Sequence, residues 1–271
     1  MLLYGILRLS AVFSVLAGFS GLGALAVLGT FVGSVAGLAL LAFLFLWAAC
    51  AAVDISKPQE HDSKFYRVLT NLIIEAVMMI ARVRVHTKGL ENTPKEGRFL
   101  LVCNHLNDSD PALLLHFFRK SQLAFISKKE NSTMFIVGKV MHKILCQMIN
   151  RENDREALKT IIHCISILKE RKANVAVFPE GKKSTDRYLL HHFRPGVFKM
   201  AQKANVPIVG CTLRGTQNIL PNAKKLRRTD IRLNLLEVIP AEELKGITTV
   251  AIAERVPAMM AEDLGLEHVA C

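Results

Sequence analysis

The chain has 271 residues, enough for one large domain or two small ones, and a formal net charge of +12. That charge is unevenly spread: Arg8 to Asp54 encloses no Lys, Arg, Asp, Glu or His, so nearly all of the 35 Lys and Arg and all 23 Asp and Glu fall in residues 54–271. Six scattered cysteines (50, 103, 146, 164, 211 and 271) with no CxxC or paired spacing exclude a disulfide framework and a cysteine-built metal site, and fit a reducing compartment.

The uncharged apolar stretch, residues 9–53, comes first. A hydrocarbon core of about 30 Å takes about 20 helical residues, so the stretch predicts two spans or one long tilted helix. A secretory signal has an apolar region of only about 7 to 15 residues, several times too short, although small residues around Cys50 resemble a cleavage site. Glycines at "GFSGLG" (18–23) and "GTFVGS" (29–34) offer hairpin turns or close helix crossings. A hairpin would put Arg8 on the side of Lys57, Lys64 and Arg67, the cytoplasmic side by the positive-inside tendency. The sequence thus divides into an anchor over 1–55, an amphipathic connecting helix over 56–84, and a basic domain over 85–271.

Within the connector, residues 62–83 carry Phe65, Val68, Leu69, Leu72, Ile73, Ala76 and Val77 at helical spacing. Such a helix lies on a membrane or covers the next core. After the turn-rich "TKGLENTPKEG", short apolar runs at 98–103, 123–127, 145–149, 174–178, 207–213 and 231–239 predict strands. Helices are expected to begin near Pro111, Ser132, Asn153 and Pro195. The third has a stripe of Leu158, Ile161, Ile162, Ile165 and Leu168 behind the cap "NDRE". This alternation predicts an α/β fold: a mixed, largely parallel sheet flanked by helices, preceded by an apolar membrane helix or hairpin. In such sheets functional groups gather at the carboxyl ends of strands.

His105 ends the first of these strands, and Asp110 precedes Pro111. Two readings stand side by side. Asp110 is a good N-cap with proline at N1, which leaves His105 an incidental loop residue. Alternatively the aspartate reaches one ring nitrogen of His105, fixes its tautomer, and leaves the other nitrogen to take a proton from a substrate hydroxyl. No G-x-S-x-G serine is present to act as the protein's own nucleophile. A second stretch, "VFPEGKKST" (177–185), joins a Pro-Glu-Gly turn to Lys182, Lys183 and two hydroxyls. It reads as a phosphate cradle or as a solvated turn.

Together, "NHLNDSD" (104–110) resembles the N-H-x-x-x-x-D motif, and "FPEGKKS" (178–184) the F-P-E-G-T-R-S motif, of the glycerolipid acyltransferases that include 1-acyl-sn-glycerol-3-phosphate acyltransferases. "GKVMHKILCQMINR" (138–151) is similar to the family block ending in a substrate-contacting arginine, here Arg151. "VPIVGCTLRGT" (206–216) is similar to the late block with a Val-Pro-Ile core. The resemblance covers about residues 85–216. It implies His105 as general base, oriented by Asp110, with the hydroxyl of lysophosphatidic acid attacking the thioester of acyl-CoA or acyl-carrier protein. No metal, cofactor or covalent acyl-enzyme is implied. Glu180 and Gly181 would shape the acceptor site, and Arg151, Lys182, Lys183 and Ser184 would bind substrate. Lys182-Lys183 stands where the family has Thr-Arg, which keeps charge but loses a bidentate guanidinium fork and bears on acceptor identity. Asp108 adds a second carboxylate, either a rival partner for His105 or a solvated loop residue.

The excess of positive charge fits anionic lipid or a phosphorylated substrate; there is no zinc-finger, RNP or helix-turn-helix pattern to argue for nucleic acid. His191-His192 reads as a surface pair, Lys128, Lys129 and Glu130 as a groove lining or a charged turn, and Met259 and Met260 as core. "KKLRR" (224–228) reads as a headgroup contact or a solvated loop. The expected product is phosphatidic acid. Rival readings are another acceptor, such as glycerol-3-phosphate, or a silent lipid-binding protein.

Overall fold

A computed structural model describes residues 1–184 and 190–266. Thr185 and Cys271, both weighed above, lie outside the described residues. Two apolar helices open the chain, α1 (Leu2–Phe19) and α2 (Ala24–Ala51), and both are long and apolar enough to cross a membrane. The turn between them falls in the first glycine group, where Gly21 has φ +79°. The second glycine group lies inside α2. Ser10 and Ser14 are the two buried residues of α1, small side chains of the kind that let helix backbones approach closely.

Next comes α3 (Lys64–Ile80), followed by β1 (Val83–Lys88). Sequence reading carried the helix through to Val83 and missed β1, an edge strand whose valines alternate with Arg84 and His86. The helix turns Arg67 and Ile74 inward, while Phe65, Val68, Val77 and Ile80 stay exposed. It therefore covers the core with one face and presents an apolar second face outward. Arg67 is no surface charge: its guanidinium pairs with Asp62 at 2.7 Å and donates to the carbonyls of Leu123 (2.9 Å) and Ile144 (3.3 Å). Phe45 against Phe65, Trp47 stacked on Phe135, and the Tyr66 hydroxyl donating to Ala49 O fasten α2 to the domain.

The remaining elements are β2 (Leu100–Cys103), α4 (Asp110–Phe117), β3 (Leu123–Lys128), α5 (Phe135–Lys143), β4 (Gln147–Ile149), α6 (Asp154–Lys169) and β5 (Asn174–Val177). After them come α7 (Lys199–Ala204), β6 (Ile208–Arg214), α8 (Ile219–Lys224), β7 (Thr229–Ile239) and α9 (Thr249–Leu264). Single 3-10 turns at Lys129–Thr133 and Pro195–Phe198 precede α5 and α7, where helices were expected to start directly. The cap of α6 is as read, with the Asn153 side chain accepting from Glu156 N. Its packing face is rotated from the expected stripe. Cys164, Ile167 and Leu168 are buried, and Leu158 and Ile162 are exposed.

The seven strands order as β1-β7-β6-β2-β5-β3-β4, parallel throughout except where β6 meets β7. This is the mixed, largely parallel sheet expected. Alternation along the central strand β2 feeds both faces: Leu100 and Val102 enter one core with Phe198 and Met260, while Leu101 and Cys103 enter the other with Phe99 and Leu114. Full burial of each such leucine stabilises the fold by roughly 1.5–3 kcal/mol. Five cysteines, Cys50 to Cys211, are free and buried. Because β7 runs against β6, its start lies at the sheet edge where β6, β2 and β5 end.

Candidate active site

That edge collects the motif residues. Asn104, the first residue past β2, spans to β6: its Nδ2 donates to Leu213 O at 2.9 Å, and its Oδ1 accepts from Leu213 N at 2.7 Å. The next residue, His105, is thereby set at the strand's carboxyl end. Its ring stacks on Phe178, just past β5, with centroids 4.2 Å apart, and Phe178 stacks in turn on Phe125 of β3.

His105 Nδ1 lies 2.9 Å from Asp110 Oδ2. The same oxygen accepts the main-chain N–H groups of Leu106 and Asn107, each at 2.7 Å, and the carboxylate is fully buried. An oxygen that already takes two N–H bonds is an acceptor, so the ring presents Nδ1–H to it and Nε2 carries the lone pair. The imidazole is about one-sixth exposed. Asp110 opens α4 as its first residue, with Ser109 before it as N-cap and no side-chain cap bond. The expected N-cap position is thus off by one, because the carboxylate turns back to the loop instead of capping the helix. The helix start and the histidine contact nonetheless coexist.

Glu180 ties the two motif loops together. Its Oε1 accepts His105 N at 2.8 Å, and its Oε2 accepts His191 N at 3.1 Å. Burial pushes the carboxyl up to about 7, opposed by those two N–H bonds. The main-chain N–H of Ser184 donates to His105 O at 2.7 Å, closing the junction from the other side. Gly181 has φ +70°, and a side chain there would stand about 3.0 Å from Arg194 Nε, so both its conformation and its surroundings call for glycine.

Cations gather around this turn. Arg151 donates to Gly181 O, and burial lowers its pKa, with the neighbouring charge of Arg194 acting in the same direction. Lys182 is exposed, and Lys183 pairs with Asp108 at 2.7 Å. Asp108 therefore engages the second loop and not His105. A cavity of about 360 Å3 opens on the Glu180 side, where Leu106, Leu213 and Leu264 share the wall with Asn104 and Ser184.

All the residues singled out, His105, Asp110, Arg151, Glu180, Gly181, Lys182, Lys183 and Ser184, thus lie in one connected region. Sequence reading passed over Asn104, Phe178 and Arg194. Asn104 and Phe178 stood inside the quoted motifs, but their roles depend on β6 and on ring stacking. Arg194 was hidden beside the histidine pair, and His191 contributes only its main chain.

The fold and this site define a protein with an apolar helical hairpin and an α/β domain, in which the loop of a carboxylate-held imidazole is bonded to a turn surrounded by cations. A family model described as Acyltransferase matches residues 84–214, just under half of the chain, with both motifs included. The probable 1-acyl-sn-glycerol-3-phosphate acyltransferase of Mycoplasma pneumoniae is 30% identical over 178 residues, 64% of this chain and 64% of that protein. A 1-acyl-sn-glycerol-3-phosphate acyltransferase of Chlamydomonas reinhardtii is 34% identical over 62% of this chain and 52% of its own length. The chain spans between half and two thirds of the length of these curated relatives. The crystal structure of the 1-acyl-sn-glycerophosphate acyltransferase PlsC from Thermotoga maritima superposes with a TM-score of 0.59 at 20% identity, covering 82% of this chain and 86% of that one, a likeness of fold.

Proposed function

We propose that the protein transfers a fatty acyl group from an acyl thioester, acyl-CoA or acyl-carrier protein, to the free hydroxyl of 1-acyl-sn-glycerol-3-phosphate. The product is phosphatidic acid. The observation that carries this reading is the His105–Asp110 contact at 2.9 Å, which leaves Nε2 without a hydrogen-bond partner among the described residues, on a loop tied to the Glu180 turn that gathers Arg151, Arg194, Lys182 and Lys183.

In this mechanism Nε2 takes the proton as the acceptor oxygen attacks the thioester carbonyl, and Asp110 stabilises the imidazolium that forms. The tetrahedral adduct then expels the thiolate, which takes the proton back from His105. A thioester is already activated, so base catalysis and positioning suffice. The cations hold the acceptor phosphate, the leucine-lined cavity offers room for apolar chain, and no metal or cofactor enters any step. The hairpin holds the chain in a membrane with the catalytic domain on the cytoplasmic face. The exposed Arg8, Lys57 and Lys64 support that orientation, while Arg67, buried against Asp62, adds nothing to it.

One observation favours a different acceptor. Lys182-Lys183 replaces Thr-Arg, and Lys183 is already paired with Asp108. Another lysophospholipid or glycerol-3-phosphate is the second reading.

The test is acyl transfer by detergent-purified protein from labelled acyl-CoA and from acyl-carrier protein to lysophosphatidic acid, beside a folded His105→Ala variant. Phosphatidic acid from the wild type, with a loss of at least about 100-fold in the variant, supports the reading. Full activity in the variant removes His105 as base. Turnover only with other acceptors moves the reading to the second one, and none with any acceptor leaves a lipid-binding protein.

A further inference from the structure

Helix α8 and the loop that follows it have a composition and a conformation that the catalytic reading does not use. Leu220 is 60% exposed and Leu226 is 76% exposed, and around them Lys224, Lys225, Arg227 and Arg228 all face solvent. Residues 219–228 include no acidic side chain. One neighbour, Asp230, takes Arg228 at 2.7 Å, which leaves three of the four cations uncommitted among the described residues.

Leu226 is held outward by design of the turn. Its φ is +53°, a region that leucine rarely adopts, yet the backbone around it is fastened at several points. Arg82 donates to Leu226 O at 2.6 Å, Leu226 N to Ala223 O at 3.0 Å, and Arg227 N to Asn222 O at 2.9 Å. A rigid turn that presents a leucine to solvent within a ring of cations matches the layered chemistry of an anionic bilayer, with acyl chains within and phosphates at the rim.

Position supports the same occupant. Arg82, which grips this loop, lies two residues after Ile80 at the end of α3, and Ile80 is 69% exposed. Helical spacing puts Ile80 on the same outer face as Phe65, which packs against Phe45 of the apolar hairpin. Exposed apolar side chains thus stand at both ends of α3, Phe65 and Val68 at the hairpin and Val77 and Ile80 about 25 Å along, next to the arginine that holds Leu226. The loop also leads into β7 at the sheet edge that holds His105.

We propose that residues 219–228 are a second membrane contact, in which Leu220 and Leu226 enter the interface while Lys224, Lys225 and Arg227 meet anionic headgroups. Rested on its two ends, hairpin and loop, the domain holds its active edge toward the bilayer that carries the lipid acceptor. This inference rests on the reading that the hairpin is membrane-embedded, but not on any catalytic step.

The test uses the full chain, whose single tryptophan is Trp47. In a Trp47→Phe background, Leu226→Trp and, separately, Leu220→Trp are reconstituted into phosphatidylcholine vesicles with and without phosphatidylglycerol. The expected result is blue-shifted emission, strong quenching by lipids brominated on their chains, and protection from acrylamide. All three effects should be greater with phosphatidylglycerol and reduced when Lys224, Lys225 and Arg227 are changed to glutamine. Emission that stays water-like and open to acrylamide in both variants overturns the proposal, as does protection that appears only when an acidic carrier protein is added. None of these readouts needs turnover, so failure here and failure of acyl transfer are separate results.

Discussion

The carboxylate of Glu180 accepts the main-chain N–H of His105 at 2.8 Å, although the two residues are 75 positions apart. Its second oxygen takes the N–H of His191. The ring of His105 answers to a different carboxylate, Asp110. One acid thus sets where the histidine stands, and the other sets which way its ring points and which nitrogen is protonated. These duties fail differently when removed.

Asp110→Asn keeps the shape of the side chain but loses the carboxylate that fixes the tautomer. We expect kcat for acyl transfer to fall by roughly 10²–10⁴ with little change in KM. Asp110→Ala additionally strands two main-chain N–H groups, at about 1–3 kcal/mol each, and should lower the unfolding temperature as well. Steady-state kinetics and thermal unfolding in detergent separate the two effects, and unchanged kcat in the asparagine variant would refute the assignment.

Glu180 predicts a pH dependence of stability. Its folded pKa is raised from 4.5 to about 7 by burial, so the fold favours the protonated acid. The contribution is fully present below 4.5 and is lost as pH rises through 7, about 3 kcal/mol at 1.4 kcal/mol per unit. Glu180→Gln cannot titrate. Chemical denaturation across this window should show a flatter stability profile in the variant than in the wild type; parallel profiles would count against the raised value.

Arg151 and Arg194 flank Gly181, where a phosphate would meet them. Replacing either with alanine should lower kcat/KM for lysophosphatidic acid by about 10- to 100-fold, the range of hydrogen bonds to charged groups. Monoacylglycerol lacks the phosphate, so whatever slow transfer it supports should change much less. Equal losses on both acceptors would show that the arginines shape the turn instead of binding the phosphate.

Arg67 joins α3 to β3 and to the end of α5 through a buried ion pair and two carbonyls. Arg67→Ala leaves Asp62 buried without its partner and should cost about 3–5 kcal/mol. The double change Arg67→Met, Asp62→Leu should restore much of the loss. Thermal unfolding of the three proteins checks this, and a stable single variant would contradict it.

Six of the seven strands and the hairpin turn were legible because apolar runs, prolines and glycines act locally. β1 was not, since its alternation amounts to two valines directly after a helical pattern, and among the described residues it pairs at the sheet edge with β7 alone. The outward Leu158 and Ile162 of α6 also misled: a helical stripe predicts a face, but the sheet beneath decides which face is used. The residues alone put His105 at a strand end and Asp110 at a helix start, and only the motif resemblance paired them, whereas the grip of Glu180 on a main-chain N–H has no sequence signature. Arg194 became a site residue only because the turn at Gly181 brings it across.

The pairing of the first strand with the last has a consequence during synthesis. His86 meets Asp230, 144 residues further on, so β1 leaves the ribosome long before β7 exists. At about 5–20 residues per second that wait is roughly 7 to 30 s, with an unpaired strand edge next to an apolar helix face. Non-local closure of this kind is slow and leaves the chain open to aggregation in the interval. A hairpin that reaches the bilayer first would tether the nascent chain and keep α3 against lipid. On this view the anchor would act as a folding aid before it served as an address.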